Sequence, residues 1–340
     1  MNAPKSSPNP YGQAGLGFVV IGRNEGERLS RCLDSLKQIS APVAYADSAS
    51  TDDSPNVARM SGAITVELSP NQPFNAARGR NAGLAALRTK HPELEFVQFI
   101  DGDCELQNRW VETALEFLRC HPRVAVACGL RFEAYPRAST YNRLCDEEWN
   151  TPIGQAQSCG GDAMIRLTSL DAVGFFDPTL MAGEEPELCS RLRSQGWEIW
   201  RLDAPMTRHD AAMTRFSQWM RRAFRSGYGY VQAWLRTRGR ADRLYTYELR
   251  SAVLWSLLIP LAVLLAAALL RKPLIIVVLP AVYSLQIARI AAHRGLFSGW
   301  SWRYAWLMLM AKFPEFLGAL SYIVKPGRSR PIDFKETPKS

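Results

Sequence analysis

Asp101 and Asp103 stand one residue apart at the end of the apolar run Phe96-Val97-Gln98-Phe99-Ile100. A short run rich in aromatic and β-branched residues predicts a buried strand of a parallel sheet. Side chains two apart on an extended segment point the same way, so the two carboxylates face one point. Two hard oxygen donors there suit one divalent cation, Mg2+ or Mn2+, which in turn can hold a substrate diphosphate. The carboxyl end of a strand is also where open α/β sheets bind ligands. An acidic turn bending at Gly102 would use the same residues, so the motif needs support from the rest of the chain.

Four further segments carry candidate chemistry. In Gly183-Glu184-Glu185-Pro186, the proline suits the first turn of a helix, and the dipole there favours ionised carboxylates. Glu185 is the candidate general base for an acceptor hydroxyl, whereas Glu187 fits simple dipole complementation. Asp47, at the end of a second strand, is a candidate acceptor for a nucleotide base, in a Ser/Thr/Asp loop that also suits helix capping. In Asn75-Ala76-Ala77-Arg78-Gly79-Arg80-Asn81, the small residues allow close approach; Arg80 is the candidate phosphate ligand and Arg78 reads as solvated. His209, after a late strand, is the candidate third ligand to the cation.

These residues need a scaffold, and the periodicity supplies one. Strands are predicted at 16–21, 42–46, 63–68, 96–101, 124–129 and 197–202, with helices at 54–60, 75–87, 110–118 and 216–234. A helix is also expected from the apolar spacing of Leu29, Cys32, Leu33 and Leu36, and another after Glu185, with a long irregular region before it. Strand and helix alternate, which implies parallel strands joined by right-handed crossovers.

The chain has 340 residues, a net charge of +9 and 47% hydrophobic residues, the apolar ones concentrated from Val253 to Val324. The polar start, residues 1–15, reads as a disordered arm without the apolar core of a secretory signal, leaving the next domain in the cytoplasm. Seven cysteines occur without any C-x-x-C pair, so spacing argues against a zinc site or a disulfide framework. Nothing near Cys104 or Cys159 marks a nucleophile.

Taken in order along the chain, the motifs resemble those of the family 2 glycosyltransferases, from about Phe18 to about Arg222. Asn24-Glu25 looks like that family's loop after the first strand, Asp47 to Asp52 is similar to its base-binding loop, and Arg80-Asn81-Ala82-Gly83 matches its Arg-Asn-x-Gly helix. Asp101-Gly102-Asp103 matches its D-x-D motif, Cys159-Gly160-Gly161-Asp162 looks like its acceptor-side loop, and Glu184-Glu185 falls where Glu-Asp is usual. The resemblance implies the GT-A fold, a Rossmann-like mixed α/β sheet, over 16–240. It also implies an inverting, metal-dependent hexosyltransferase of the membrane-anchored bacterial type. Asn24, Glu25, Asp47, Arg80, Asp101 and Arg221 would then bind the donor, a UDP-sugar by default. Gly160, Gly161, Asp162 and Glu184 would face the acceptor, Asp101, Asp103 and His209 the metal. Gln218-Trp219-Met220-Arg221-Arg222 resembles the Gln-x-x-Arg-Trp motif of processive synthases, but Arg222 occupies the Trp position. One sugar per encounter is expected. A nucleotidyltransferase would require a glycine-rich phosphate loop after the first strand, which Ile21 to Glu25 does not supply; a non-catalytic membrane scaffold would not require the acidic residues together.

The rest of the chain, 241–324, reads as membrane-associated helices at 253–270, 274–291 and 304–324, followed by a polar tail at 325–340. The third carries Lys312, Pro314 and Glu315, so two crossings and one interfacial segment are expected. Arginines before Val253 favour a cytoplasmic catalytic domain on the bacterial inner membrane. The basic, aromatic 216–234 helix suits anionic headgroups beside a membrane, not nucleic acid. A lipid-linked or glycan acceptor follows from this placement.

Overall fold

The computed structural model describes residues 15–324. The N-terminal arm before Gly15 and the tail from Lys325 lie outside the described residues. The chain divides into two compact units between Ala212 and Met213, earlier than the boundary near 240 read from the sequence.

The first unit is built on a nine-stranded sheet. Strands β1 (Leu16–Gly22), β2 (Val43–Asp47) and β3 (Ile64–Glu67) pair in parallel, and β4 (Phe96–Asp101) joins the other side of β1, also in parallel. Helices α1 (Glu27–Leu36), α2 (Ser54–Met60) and α3 (Ala76–Lys90) connect them. Phe18, Val19 and Val20 are fully buried, as expected for a strand covered on both faces. Gln98, the one polar residue inside the β4 run, is satisfied internally: its Oε1 accepts from Trp110 Nε1 at 2.8 Å and its Nε2 donates to the Phe99 carbonyl at 2.7 Å.

Beyond β4 come β5 (Cys104–Leu106), α4 (Trp110–Cys120), β6 (Val124–Glu133), α5 (Thr140–Trp149), β7 (Gly154–Gln155) and β8 (Ala163–Arg166). They are followed by α6 (Leu167–Val173), α7 (Glu184–Ser194) and β9 (Glu198–His209). The sheet order is β3-β2-β1-β4-β8-β6-β9-β5, with β7 on β9. The sheet is mixed, as the family resemblance implies, whereas strand–helix alternation alone pointed to parallel strands. β5 and β7 run antiparallel to β9, and inside the region expected to be irregular β8 runs antiparallel between β4 and β6. Its four residues are too few to show a period, and the glycine- and serine-rich stretch before them masks the signal. Its effect on the site is large: Phe99 pairs with Ala163, and the same register continued puts Gly161 opposite Asp101.

In the second unit, α8 (Phe216–Arg236) buries Trp219, Ala223, Gly227, Tyr228 and Val231 on one stripe. Three helices, Thr246–Leu269, Pro273–Arg294 and Gly299–Val324, are long and apolar enough to cross a membrane. A π-helical turn at Leu254–Leu258 precedes Pro260, which cannot donate to the helical ladder. The Gly299–Val324 helix starts earlier than expected and runs unbroken through Pro314. Its Lys312 ammonium pairs with Glu315 Oε2 at 2.8 Å, so the charges that marked this segment as interfacial neutralise each other. It packs along α8 so closely that a Cβ on Gly227 would lie 1.9 Å from the Glu315 carbonyl oxygen.

Candidate active site

The donor-side loops are tied to each other by their own polar groups. Asp47 is 1% exposed. It accepts from Tyr45 Oη at 2.9 Å, from the Ser50 amide at 2.7 Å and from the Ser50 hydroxyl at 2.5 Å. Its first role is therefore to clamp the turn after β2. Asn24, in the left-handed region at φ 53°, accepts from the Thr51 amide at 2.7 Å, and its own amide donates to Ser50 Oγ at 2.9 Å. Glu25 is buried beside them and pairs with Arg28 at 3.1 Å.

Asp101 ends β4 between two guanidinium groups, Arg80 buried and Arg131 partly exposed. Arg80, from α3, donates to Asp101 Oδ1 at 3.1 Å and to Glu184 Oε1 at 2.6 Å. Arg131, near the end of β6, donates to Asp101 Oδ2 at 3.2 Å and lies over the Trp149 ring. Burial alone would raise the Asp101 carboxyl, but Arg80 and Arg131 hold it below the usual carboxylate range. Burial likewise disfavours the charged Arg80, and Asp101 and Glu184 outweigh it. Arg80 is thus committed to two carboxylates, Asp101 and Glu184.

Glu184 and Asp162, expected to face the acceptor, have partners within the fold. Glu184 is the counter-ion of Arg80. Asp162 is 1% exposed; it accepts from the Asp101 amide at 2.9 Å and from the Thr207 hydroxyl at 2.7 Å, so it positions the end of β4. Gly160 (φ 81°) and Gly161 form the loop between them. A Cβ on Gly161 would lie 2.8 Å from Asp101 Oδ2, and no side chain fits there without a shift.

Asp103 has different surroundings. His209 Nε2 lies 3.4 Å from Asp103 Oδ1. His209 Nδ1 is buried without a hydrogen bond, with Glu133 Oε2 at 3.7 Å, and the Trp149 ring edge-packs on the imidazole. The pairing of β9 with β5 and β6 causes this, because His209 registers with Cys104 on one side and Glu133 on the other. A carboxylate oxygen and an imidazole nitrogen at that separation suit a shared divalent ion, and an acidic residue beyond the other ring nitrogen is the usual support for such a ligand. Donors from Asp103, Cys104 and His209 lie within 4.8 Å of one another.

Glu185 lies in the first turn of α7. Its Oε1 accepts from the Cys159 amide at 2.5 Å and from the Cys189 thiol at 3.1 Å. Burial pushes its carboxyl above the usual range, and these hydrogen bonds only partly offset that. Arg221, the remaining donor-side candidate, lies on α8 in the second unit.

Sequence reasoning missed Arg131, Glu133 and Trp149. The available signal was Leu130-Arg131-Phe132-Glu133, whose period of two continues the strand and puts both charged residues on one face.

Known proteins fit this geometry. Residues 18–162 match the family described as Glycosyl transferase family 2. The pre-mycofactocin glycosyltransferase of Mycobacterium tuberculosis is 27% identical over 221 residues, covering 62% of this chain and 45% of that protein. The chain thus spans under half the length of that relative. Glycosyltransferase AglE of Haloferax volcanii is 22% identical over 255 residues, covering 71% of this chain and 80% of that protein. The mannosyltransferase PcManGT from Pyrobaculum calidifontis, solved with GDP-Man and Mn2+, shares the fold with a TM-score of 0.57 at 17% identity, over 90% of this chain and 86% of that one. Residues 18–162 match glycosyl transferase family 2, and the chain has the GT-A fold.

Proposed function

We propose that this chain is an inverting, cation-dependent glycosyltransferase that moves one sugar per encounter from a nucleotide sugar to a membrane-associated acceptor. The observation that carries the reading is the meeting of two unlike carboxylate environments at one end of the sheet: Asp101 and Asp103 beside His209, and Glu185 beside the loop opposite Asp101. Asp103 and His209 would hold Mg2+ or Mn2+, which neutralises charge on a leaving diphosphate. Arg80 and Arg131 fix Asp101 in place at the end of β4. Asp47 and Asn24 shape the loop that meets the base. Glu185 has Oε1 committed to two donors, which orients Oε2 to take the proton of the acceptor hydroxyl.

PcManGT was solved with GDP-Man, so a guanosine diphosphate sugar joins the UDP-sugars as a donor to be tested. Calorimetry of the full chain with UDP- and GDP-sugars, with and without Mn2+, tests the reading. Cation-assisted donor binding that Asp103→Ala removes is expected. Absence of such binding for every donor tried would favour a non-catalytic membrane scaffold.

The anchor reading rests on packing within the second unit. α8 carries Arg221, Arg222 and Arg225 and cannot lie in hydrocarbon, yet the Gly299–Val324 helix runs along it, from Phe216 against Trp306 to Tyr228 against Tyr322. The Thr246–Leu269 and Pro273–Arg294 helices would cross the bacterial inner membrane, and Gly299–Val324 would lie at its cytoplasmic surface. A tail cleaved by protease in sealed inside-out vesicles supports this, and a protected tail favours three crossings.

A further inference from the structure

Cys159 and Cys189 are thirty residues apart in sequence, with no metal-binding spacing. In the fold their sulfurs lie 3.8 Å apart, and the Cys189 sulfur lies 3.1 Å from Glu185 Oε1. Donor atoms of all three residues fall within 4.8 Å of one another. Two thiolates on one tetrahedral zinc ion, at Zn–S bonds of about 2.3 Å, stand about 3.8 Å apart, so the sulfurs already have the separation that an ion requires. Cys189 and Glu185 are buried on successive turns of α7, while Cys159 is partly exposed on the loop before Gly160 and gives a way in.

We propose that Cys159, Cys189 and Glu185 form a second cation site, selective for a soft divalent ion of the zinc class. On binding, two S–H bonds break, two metal–sulfur bonds form and the two protons leave to solvent. Two thiolates make this the softer donor set, whereas the group around Asp103 has one thiol beside a carboxylate and an imidazole, so zinc is expected to favour the thiol pair. Resting on the reading of Glu185 as base, occupation of the thiol site removes the proton acceptor and inhibits transfer while leaving the donor-side cation in place.

The test uses the reduced, metal-free full chain in detergent, with Co2+ as the probe. A sulfur-to-cobalt charge-transfer band, displaced by one equivalent of Zn2+, is expected. Cys159→Ser should weaken it and the Cys159→Ser, Cys189→Ser pair abolish it, while cation-assisted donor binding shows that each variant is folded. No band in the native chain, or a band unchanged in a folded double variant, overturns the site whatever Glu185 does. Full turnover by the Zn2+-loaded protein, with the band present, keeps the site and removes both the inhibition and Glu185 as base, so the two readings fail separately.

Discussion

Asp101 is partly exposed and Glu185 is buried, and their surroundings oppose each other. Asp101 lies between the guanidinium groups of Arg80 and Arg131 and is held ionised. Around Glu185 the donors are an amide and a thiol, and burial raises its carboxyl. A carboxylate that must stay charged is surrounded by fixed positive charge, which also makes it a poor base. A carboxylate that must accept a proton is kept away from such charge. In the proposed function, this difference separates the two roles, which the residue types alone do not.

The largest expected effect comes from breaking the charged side of this contrast. Arg131→Met leaves Asp101 and Asp162 facing each other without their shared cation, and the loss of one partner of a buried ionic network costs about 3–5 kcal/mol. Denaturant unfolding should show it.

Glu185→Gln acts on the opposite side. Turnover should drop about a hundredfold or more, the usual scale for a lost general base, while calorimetric donor binding persists. The pH dependence sharpens the point. A raised carboxyl binds its proton more tightly in the folded state, so the Glu185 contribution to stability is fullest at low pH. It declines as pH rises from the unfolded value, about 4.3, through the folded one. The acid limb of turnover should lie above that of an ordinary carboxylate. In unfolding measured across that window, Glu185→Gln should remove the decline. Asp101 has the opposite sign, with stability present above its unfolded value and lost as pH falls through its lowered folded one.

A smaller effect is expected from Gly161→Ala, whose Cβ would press on Asp101 Oδ2 and on Arg80 Nη2 at 3.0 Å. Overpacking of this kind costs about 1–3 kcal/mol, and Mn2+-assisted donor binding measured by calorimetry should weaken with it. The smallest belongs to a control. Arg88 and Asp171 pair at 2.6 Å in solvent, so Arg88→Ala should change stability by less than about 1 kcal/mol and leave turnover unchanged.

Much of this arrangement was legible in the chain itself. Strands β1 to β4, the D-x-D segment at the end of β4 and the Glu-Glu turn at the start of α7 all follow from local signals: apolar runs, turn residues and a helix-starting proline. Each is set by residues that are neighbours in sequence, and one chain is enough to read them. What the segments meet was decided by folding. β8 slots antiparallel between β4 and β6, and that pairing carries Gly161 and Asp162 to Asp101. Arg131 reaches the same carboxylate from thirty residues downstream, and Cys159 reaches Cys189 across an equal gap. Sheet pairing and burial are long-range effects, fixed by which surfaces exclude water together, and no local period encodes them. The sequence alone therefore determined which groups are available for chemistry, and the tertiary structure decided which carboxylate is held charged and which is left able to take a proton.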